Sequence, residues 1–361
     1  MENLEHLKKE AIQLLKDLIR TPSLSKSEDK TADIIQAYFK QKAIFTHRKG
    51  NNIWAYHKEF DPNLPVIMLN SHHDTVKPNQ GYTLDPFQPI EANGKLFGLG
   101  SNDAGGCLVS LLATFLNFCG KDLPVNLLFL ASAEEEISGK GGMESMIPEL
   151  PELACAIVGE PTQMKMAVAE KGLMVIDALV KGKAGHAARE EGINAIYEAL
   201  DDLIAIRDFQ FKKSSPFLGP NKVTATIIQA GSQHNVVPDL CSYTLDVRVT
   251  DAYKLEEALE ELQQNLKAEL KPRSLRLNSS HIPENHPLVQ AAKSLQMETF
   301  GSPTLSDQAL IPYPSVKIGP GDSARSHSPD EFIYVEEINL GISRYIRLLE
   351  TYFSLLKQPI K

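Results

Sequence analysis

Cysteine is scarce in this 361-residue sequence: Cys107, Cys119, Cys155 and Cys241 are scattered, with no CxxC spacing. That excludes a disulfide framework and a cysteine metal site, and predicts buried, reduced thiols in a reducing compartment. No block of Lys or Arg stands out against a formal net charge of −9, so nothing attracts a polyanion and nucleic-acid binding is not expected. Long apolar runs are missing as well. The longest, Cys107 to Phe118, is too short to cross a bilayer, and no membrane span is expected. The stretch from Met1 to Arg20 alternates charged and apolar residues at helical spacing and lacks the apolar centre and small-residue cleavage site of a secretion signal. The expectation is a cytoplasmic protein without internal repeats or low-complexity tracts.

What is present is ordinary for a globular enzyme, with 42% hydrophobic and 23% charged residues. The length predicts two domains, each able to bury its own core. Leu4, Ala11, Leu14, Leu15 and Leu18 recur at helical spacing, Thr21-Pro22-Ser23 ends that helix, and a second runs from about Lys26 to Lys40. Apolar strands follow at Asn52 to His57, Pro65 to Asn70, Val125 to Ser132 and Ala154 to Gly159, alternating with helix, so this part reads as α/β. From Gly172 the texture changes. Strands at Leu173 to Lys181, Val223 to Gln229, Tyr243 to Val249 and Leu275 to His281 enclose helices at Ile193 to Arg207 and Lys254 to Leu266. The order β-α-β-β-α-β is that of a ferredoxin-like unit able to stand as an insertion. The predicted division is therefore 1–170 with 283–361 as one α/β domain, and 171–282 as an inserted α+β ferredoxin-like domain. The last part reads as a helix at Pro287 to Thr299, a Pro/Gly-rich loop from Pro312 to Pro329, and a helix from Val335 to Leu356.

Acidic and imidazole side chains cluster in five places, each placed just past an apolar strand, where a doubly wound sheet has its ligand crevice. They are His72-His73-Asp74, Asp103 in a Gly-rich loop, Glu134-Glu135-Glu136, Glu160 before Pro161-Thr162, and His327 after Gly319-Pro320-Gly321. Histidine nitrogen with carboxylate oxygen suits Zn²⁺, Co²⁺ or Mn²⁺, and five such donors suffice for two ions sharing one carboxylate. On an extended segment His72 and Asp74 face the same way, so Asp74 can accept the second ring N–H of His72, while His73 points elsewhere. Three adjacent glutamates repel unless a cation compensates them; one can bind metal while its neighbour accepts a proton from water.

In these elements the chain resembles, over nearly its whole length, the acetylornithine deacetylase, succinyl-diaminopimelate desuccinylase, aminoacylase and carboxypeptidase family of dinuclear zinc hydrolases. The shared elements are His-x-Asp after a strand, Gly-x-Gly-x-x-Asp, Glu-Glu before a Gly-rich turn, Glu-Pro-Thr, and a late Gly-Pro-Gly…His…Asp-Glu. The resemblance implies a zinc-peptidase-like α/β catalytic domain whose insertion serves as lid and dimerisation domain. It implies two Zn²⁺ per subunit, with Co²⁺ or Mn²⁺ as substitutes: His72 and Glu160 on one, Glu136 and His327 on the other, Asp103 bridging. It makes Glu135 the general acid/base, supported by Asp74, and implies a cis peptide after Asp103. His186 would reach into a neighbouring subunit's site to stabilise an oxyanion, which makes the protein a homodimer, and Asn235 and Arg248 would contact substrate, with Arg325 a second carboxylate-binding candidate. Leu99 and Ala104-Gly105-Gly106-Cys107 depart from the arginine and lysine common in the family.

The expected reaction is removal of an acetyl or succinyl group from a small amino acid of the ornithine or citrulline type in arginine biosynthesis. A desuccinylase of succinyl-diaminopimelate or a dipeptidase on the same scaffold is the alternative, and a non-catalytic metal-binding homologue is a second. The retention of Glu135 beside all five ligand candidates argues against the last.

Overall fold

The computed structural model describes residues 2–357. Residue 1 and residues 358–361 of the predicted outer domain lie outside the described residues. The chain forms two compact units: residues 1–168, 281–300 and 306–361 in one, 169–280 and 301–305 in the other. The short segment 301–305, read from sequence as outer, belongs to the inner unit.

In the outer unit the strands Val66–His72, Asn126–Ser132, Leu153–Val158 and Ser315–Lys317 run parallel. Asn52–Tyr56 pairs antiparallel beside Asn126–Ser132, and Met166–Glu170 antiparallel beside Ser315–Lys317. Every residue of Val66–His72 and Asn126–Ser132 is buried, because helices cover both faces of the sheet. On one face Phe129 meets Phe39 of helix Asp29–Gln41 and Phe115 of helix Gly106–Phe118, with ring centroids 5.6 and 5.8 Å apart. On the other, Met68, Leu128, Leu130 and Val158 pack on Met143, Met146 and Ile311. The C-terminal helix Val335–Leu356 lies where the sequence places it. Ser315–Lys317 is a central strand inside the stretch read as a Pro/Gly-rich loop; three residues are too few to show a period.

The inner unit is an antiparallel sheet in the order Lys222–Ala230, Leu240–Val249, Gly172–Lys181, Glu269–Pro272. Helices Ala195–Asp208 and Leu255–Gln263 complete the ferredoxin-like βαββαβ order. Strict alternation of burial along Leu240–Val249 places Cys241, Tyr243, Leu245, Val247 and Val249 on the helix-covered face. The fourth strand is Glu269–Pro272, not Leu275 to His281 as expected from sequence. Pro272 hid it from the pattern, yet proline is compatible with the end of an edge strand. All four cysteines are free; Cys119 is half-buried rather than buried. Among the described residues no helix is long and apolar enough to cross a membrane.

Candidate metal centre

Parallel strands bring their C-terminal ends to one edge of the sheet, and three of the five predicted clusters arrive there. His72 is the last residue of its strand and is buried. Glu135 and Glu136 open a short 3-10 turn after Asn126–Ser132, and Glu160 follows Leu153–Val158. Asp103 arrives differently from the expectation: it sits in the turn Ser101–Gly105 that leads into helix Gly106–Phe118, not behind a strand of this sheet. The peptide bond between Asp103 and Ala104 is cis. His327 comes from the loop beyond Ser315–Lys317, with φ of 57°.

Two triads result. His72, Asp103 and Glu160 can hold one cation, and Asp103, Glu136 and His327 a second; within each, the candidate ligand atoms lie within 4.8 Å of one another. Asp103 belongs to both, with Oδ1 3.4 Å from His72 Nε2 and Oδ2 3.6 Å from His327 Nε2. Glu160 Oε1 is 3.7 Å from His72 Nε2, and Glu136 Oε2 is 3.0 Å from His327 Nε2. Glu135 joins no triad, but its Oε2 is 3.8 Å from His72 Nε2. Nitrogen and oxygen donors without sulfur, three per site with one shared, fit two divalent ions of the Zn²⁺, Co²⁺ or Mn²⁺ kind.

The electrostatics show what a cation would relieve. Burial lifts Glu135 well above the ordinary carboxylate range, and Glu160, Asp307 and Glu136 add to the lift against the opposing His72. Burial would likewise raise Asp103, but hydrogen bonding and the charge of His72 outweigh it and hold Asp103 low. His327 is raised to about 9, first by its hydrogen bond to Glu136.

A shell of buried carboxylates holds the loops. The ring Nδ1 of His72 lies 3.0 Å from the main-chain carbonyl of Asp74 and 3.4 Å from the Asp74 carboxylate, the partner expected from the sequence. That carboxylate also accepts the backbone N–H groups of Glu135 (3.0 Å) and Glu136 (3.2 Å) and the hydroxyl of Ser25 (2.7 Å). Glu28 accepts the N–H of Glu134 at 3.1 Å. Glu331 accepts those of Gly100, Asn102 and Asp103. Asp307 accepts the Ser132 hydroxyl at 2.6 Å, and burial raises it to about 6. Glu28 and Asp307 carry no sequence signal: the groups they hold beside the centre, the Glu134 N–H and the Ser132 hydroxyl, are 106 and 175 residues away in the chain. Glu331 stands in the Asp-Glu pair of the resemblance without a role attached.

The Gly-rich turn has a local reason. Glu134 folds into it, accepting the N–H of Gly141 at 3.2 Å, and a Cβ at Gly141 would fall 2.3 Å from Glu134 Oε1. His73 is tied to Thr31 and to the carbonyl of Asn51, both at 2.9 Å, and faces away as expected.

In the inner unit the exposed His186 pairs with Val236 in a two-residue ladder, and Ala187 N–H donates to the Asn235 carbonyl at 3.0 Å. The fold therefore sets His186 and Asn235 side by side. Arg248 lies on the open face of the sheet, its guanidinium forked onto Asp246 at 2.8 and 3.0 Å. Both terminal nitrogens of Arg325 bind the Glu337 carboxylate, at 2.7 and 3.1 Å, and its plane lies over Phe332 and Tyr334, so its fork, like that of Arg248, is engaged by a carboxylate of the chain itself.

Two overlapping nitrogen–oxygen triads with an extra carboxylate beside them define a metallohydrolase. The pattern of peptidase family M20/M25/M40 matches residues 68–351, and the chain belongs to that family, whose members hydrolyse amide bonds. It is 28% identical over 361 aligned residues to an acetylornithine deacetylase of Proteus mirabilis, covering 89% of this chain and 91% of that one. Its fold is similar to that of aminopeptidase PepT from Bacillus cereus (TM-score 0.78, 17% identity, 96% and 98% of the two chains). It is also similar to the YXEP protein of Bacillus subtilis, described as a dinuclear metal-binding peptidase (TM-score 0.75, 17% identity, 98% and 100%).

Proposed function

We propose that this chain is a zinc-dependent deacylase that removes an acetyl or succinyl group from an amino acid of the ornithine or citrulline type, in the arginine biosynthesis of the cytoplasm. The observation that carries the reading is the sharing of Asp103 between two triads with Glu135 beside them. The deacetylase name of the Proteus relative supports the substrate class.

His72 and Glu160 would hold one Zn²⁺ and Glu136 and His327 the other, with Asp103 common to both groups. The pair of ions, when bound, polarises the amide carbonyl and makes water acidic enough to attack near neutral pH. Glu135 takes the proton from the attacking water and returns it to the leaving amine, as suits a carboxylate whose charged form its surroundings disfavour. Asp74 keeps the Glu135-Glu136 turn in place through its two backbone hydrogen bonds. In the inner unit, Asn235 and Arg248 bind substrate, Arg248 exchanging its Asp246 partner for the α-carboxylate. His186 serves the site of a partner subunit as an oxyanion donor. A homodimer is supported by exposed apolar side chains on the inner unit: Tyr197, Leu200 and Ile204 of one helix, and Ile227 and Ile228 of the edge strand.

The test is amine release from N-acetylornithine, N-acetylcitrulline, their N-succinyl counterparts, succinyl-diaminopimelate and a dipeptide panel, with Zn²⁺ present. Turnover of an ornithine or citrulline derivative is expected; preference for a dipeptide or for succinyl-diaminopimelate would move the assignment to those substrates.

A further inference from the structure

Asp103 is the one side chain common to both triads, so its placement decides whether the two sites form together. The Asp103 carboxylate meets His72 and Ser326, and Asn102 ties the loop to Asp322, but none of these contacts holds the Asp103 main chain. What reaches it is Glu331, 2% exposed: Oε1 accepts the N–H of Asn102 at 2.8 Å and of Asp103 at 2.9 Å, and Oε2 accepts that of Gly100 at 3.2 Å. A neutral amide could not do this, because one of its two atoms would present N–H to N–H. The local sheet explains why Glu331 is there. Phe332–Tyr334 pairs antiparallel with Lys95–Phe97, so the segments leading to His327 and to Asp103 leave one ladder side by side. The main chain adds a further tie, Gly98 N–H donating to the Glu331 carbonyl at 2.9 Å.

We propose that Glu331 is the positioning residue of the shared carboxylate, fixing Asp103 at the point where one oxygen faces each triad while tying its loop to the segment that carries His327. The proposal rests on the two-ion reading above. If the Glu331 carboxylate is lost, Asp103 can still turn to one site but is no longer held for both.

The experiment is calorimetric titration of the metal-free full-length protein with Zn²⁺, for wild type, Glu331→Gln and Asp330→Asn, each with circular dichroism and melting of the metal-free form. Asp330 anchors the same segment through the backbone N–H groups of Thr83 and Leu84 and touches neither triad, so it reports on segment folding alone. Wild type and Asp330→Asn are expected to bind two ions per chain. Glu331→Gln is expected to bind one, with the second weakened at least tenfold while the metal-free melt stays near wild type. Two ions at wild-type affinity in Glu331→Gln overturn the proposal, as does an equal loss in Asp330→Asn. If Glu331→Gln fails to fold, Glu331→Asp, which keeps the charge but withdraws it by one methylene, is read in the same way. Fewer than two ions in wild type refutes the two-ion reading itself, and the proposal falls with it.

Discussion

At the scale of single residues, the proposed mechanism separates groups that hold from a group that acts. Glu135 and Glu136 are neighbours on one short turn, yet Glu136 pairs with His327 while Glu135 stands outside both triads. Glu135→Ala should therefore lower kcat by about 10²–10⁴-fold, the usual worth of a positioned acid/base, with zinc stoichiometry unchanged. Parallel kinetics and metal analysis check this, and loss of bound zinc in that variant would make Glu135 a ligand instead. Gly142 supplies a second residue-scale prediction. A Cβ there would stand 2.1 Å from the carbonyl oxygen of Ala133, immediately before the three glutamates. Gly142→Ala should destabilise the outer unit by about 2 kcal/mol, the scale of an overpacked site, measured by denaturant unfolding.

Elements succeed or fail by how they satisfy buried polar groups. In the inner unit Asp202 of helix Ala195–Asp208 accepts the Tyr243 hydroxyl (3.0 Å) and the backbone N–H groups of Lys267 (2.9 Å) and Ala268 (2.8 Å), tying the helix to the sheet and to the turn before the last strand. Asp202→Ala strands those donors and should cost about 3 kcal/mol, read as a lower melting temperature of that unit. In the outer unit burial pushes His57 down to about 4, and its Nδ1 accepts the N–H of Leu127 at 3.1 Å. The ring is neutral in the fold but takes a proton near 6.5 once unfolded. The unfolded chain thus binds more protons between these values, and stability falls as pH drops from about 6.5 to 4, by up to about 1.4 kcal/mol per pH unit. His57→Gln should flatten that slope in melts recorded between pH 7.5 and 4.5; an unchanged slope would assign it to other groups.

The same scale shows what sequence can convey. Apolar strands ending in His72, in Glu134-Glu135-Glu136 and in Glu160 announce themselves because strand period and ligand chemistry coincide within a few residues. The βαββαβ order is legible for the same reason, apart from a last strand disguised by Pro272. Glu28, Asp307 and the task of Glu331 are not legible, since each acts on groups far away in the chain: backbone N–H for Glu28 and Glu331, the Ser132 hydroxyl for Asp307. The partners of the two arginines are not legible either, because a fork suited to a substrate carboxylate is equally suited to Glu337 or Asp246, and sequence does not say which comes nearer.

For the whole molecule, the chain divides into two units with separate cores: one holds both candidate metal triads, and the other carries His186, Asn235 and Arg248. If the proposed homodimer forms through the exposed isoleucines of Lys222–Ala230, then Ile227→Asp combined with Ile228→Asp should give a monomer by light scattering with the fold intact. Such a monomer should lose turnover while keeping its zinc, because His186 would then reach no partner. A fully active monomer would remove His186 from the mechanism.

The claim on which all of this rests is that two ions, held through Asp103, drive amide hydrolysis. It is tested most directly by titrating Zn²⁺ into metal-free protein and following amine release from N-acetylornithine, N-acetylcitrulline and their N-succinyl counterparts at each step. Turnover should appear with the metal and reach its plateau at two ions per chain. Undiminished turnover after chelation, or none from any of these amides with two ions bound, would contradict the account.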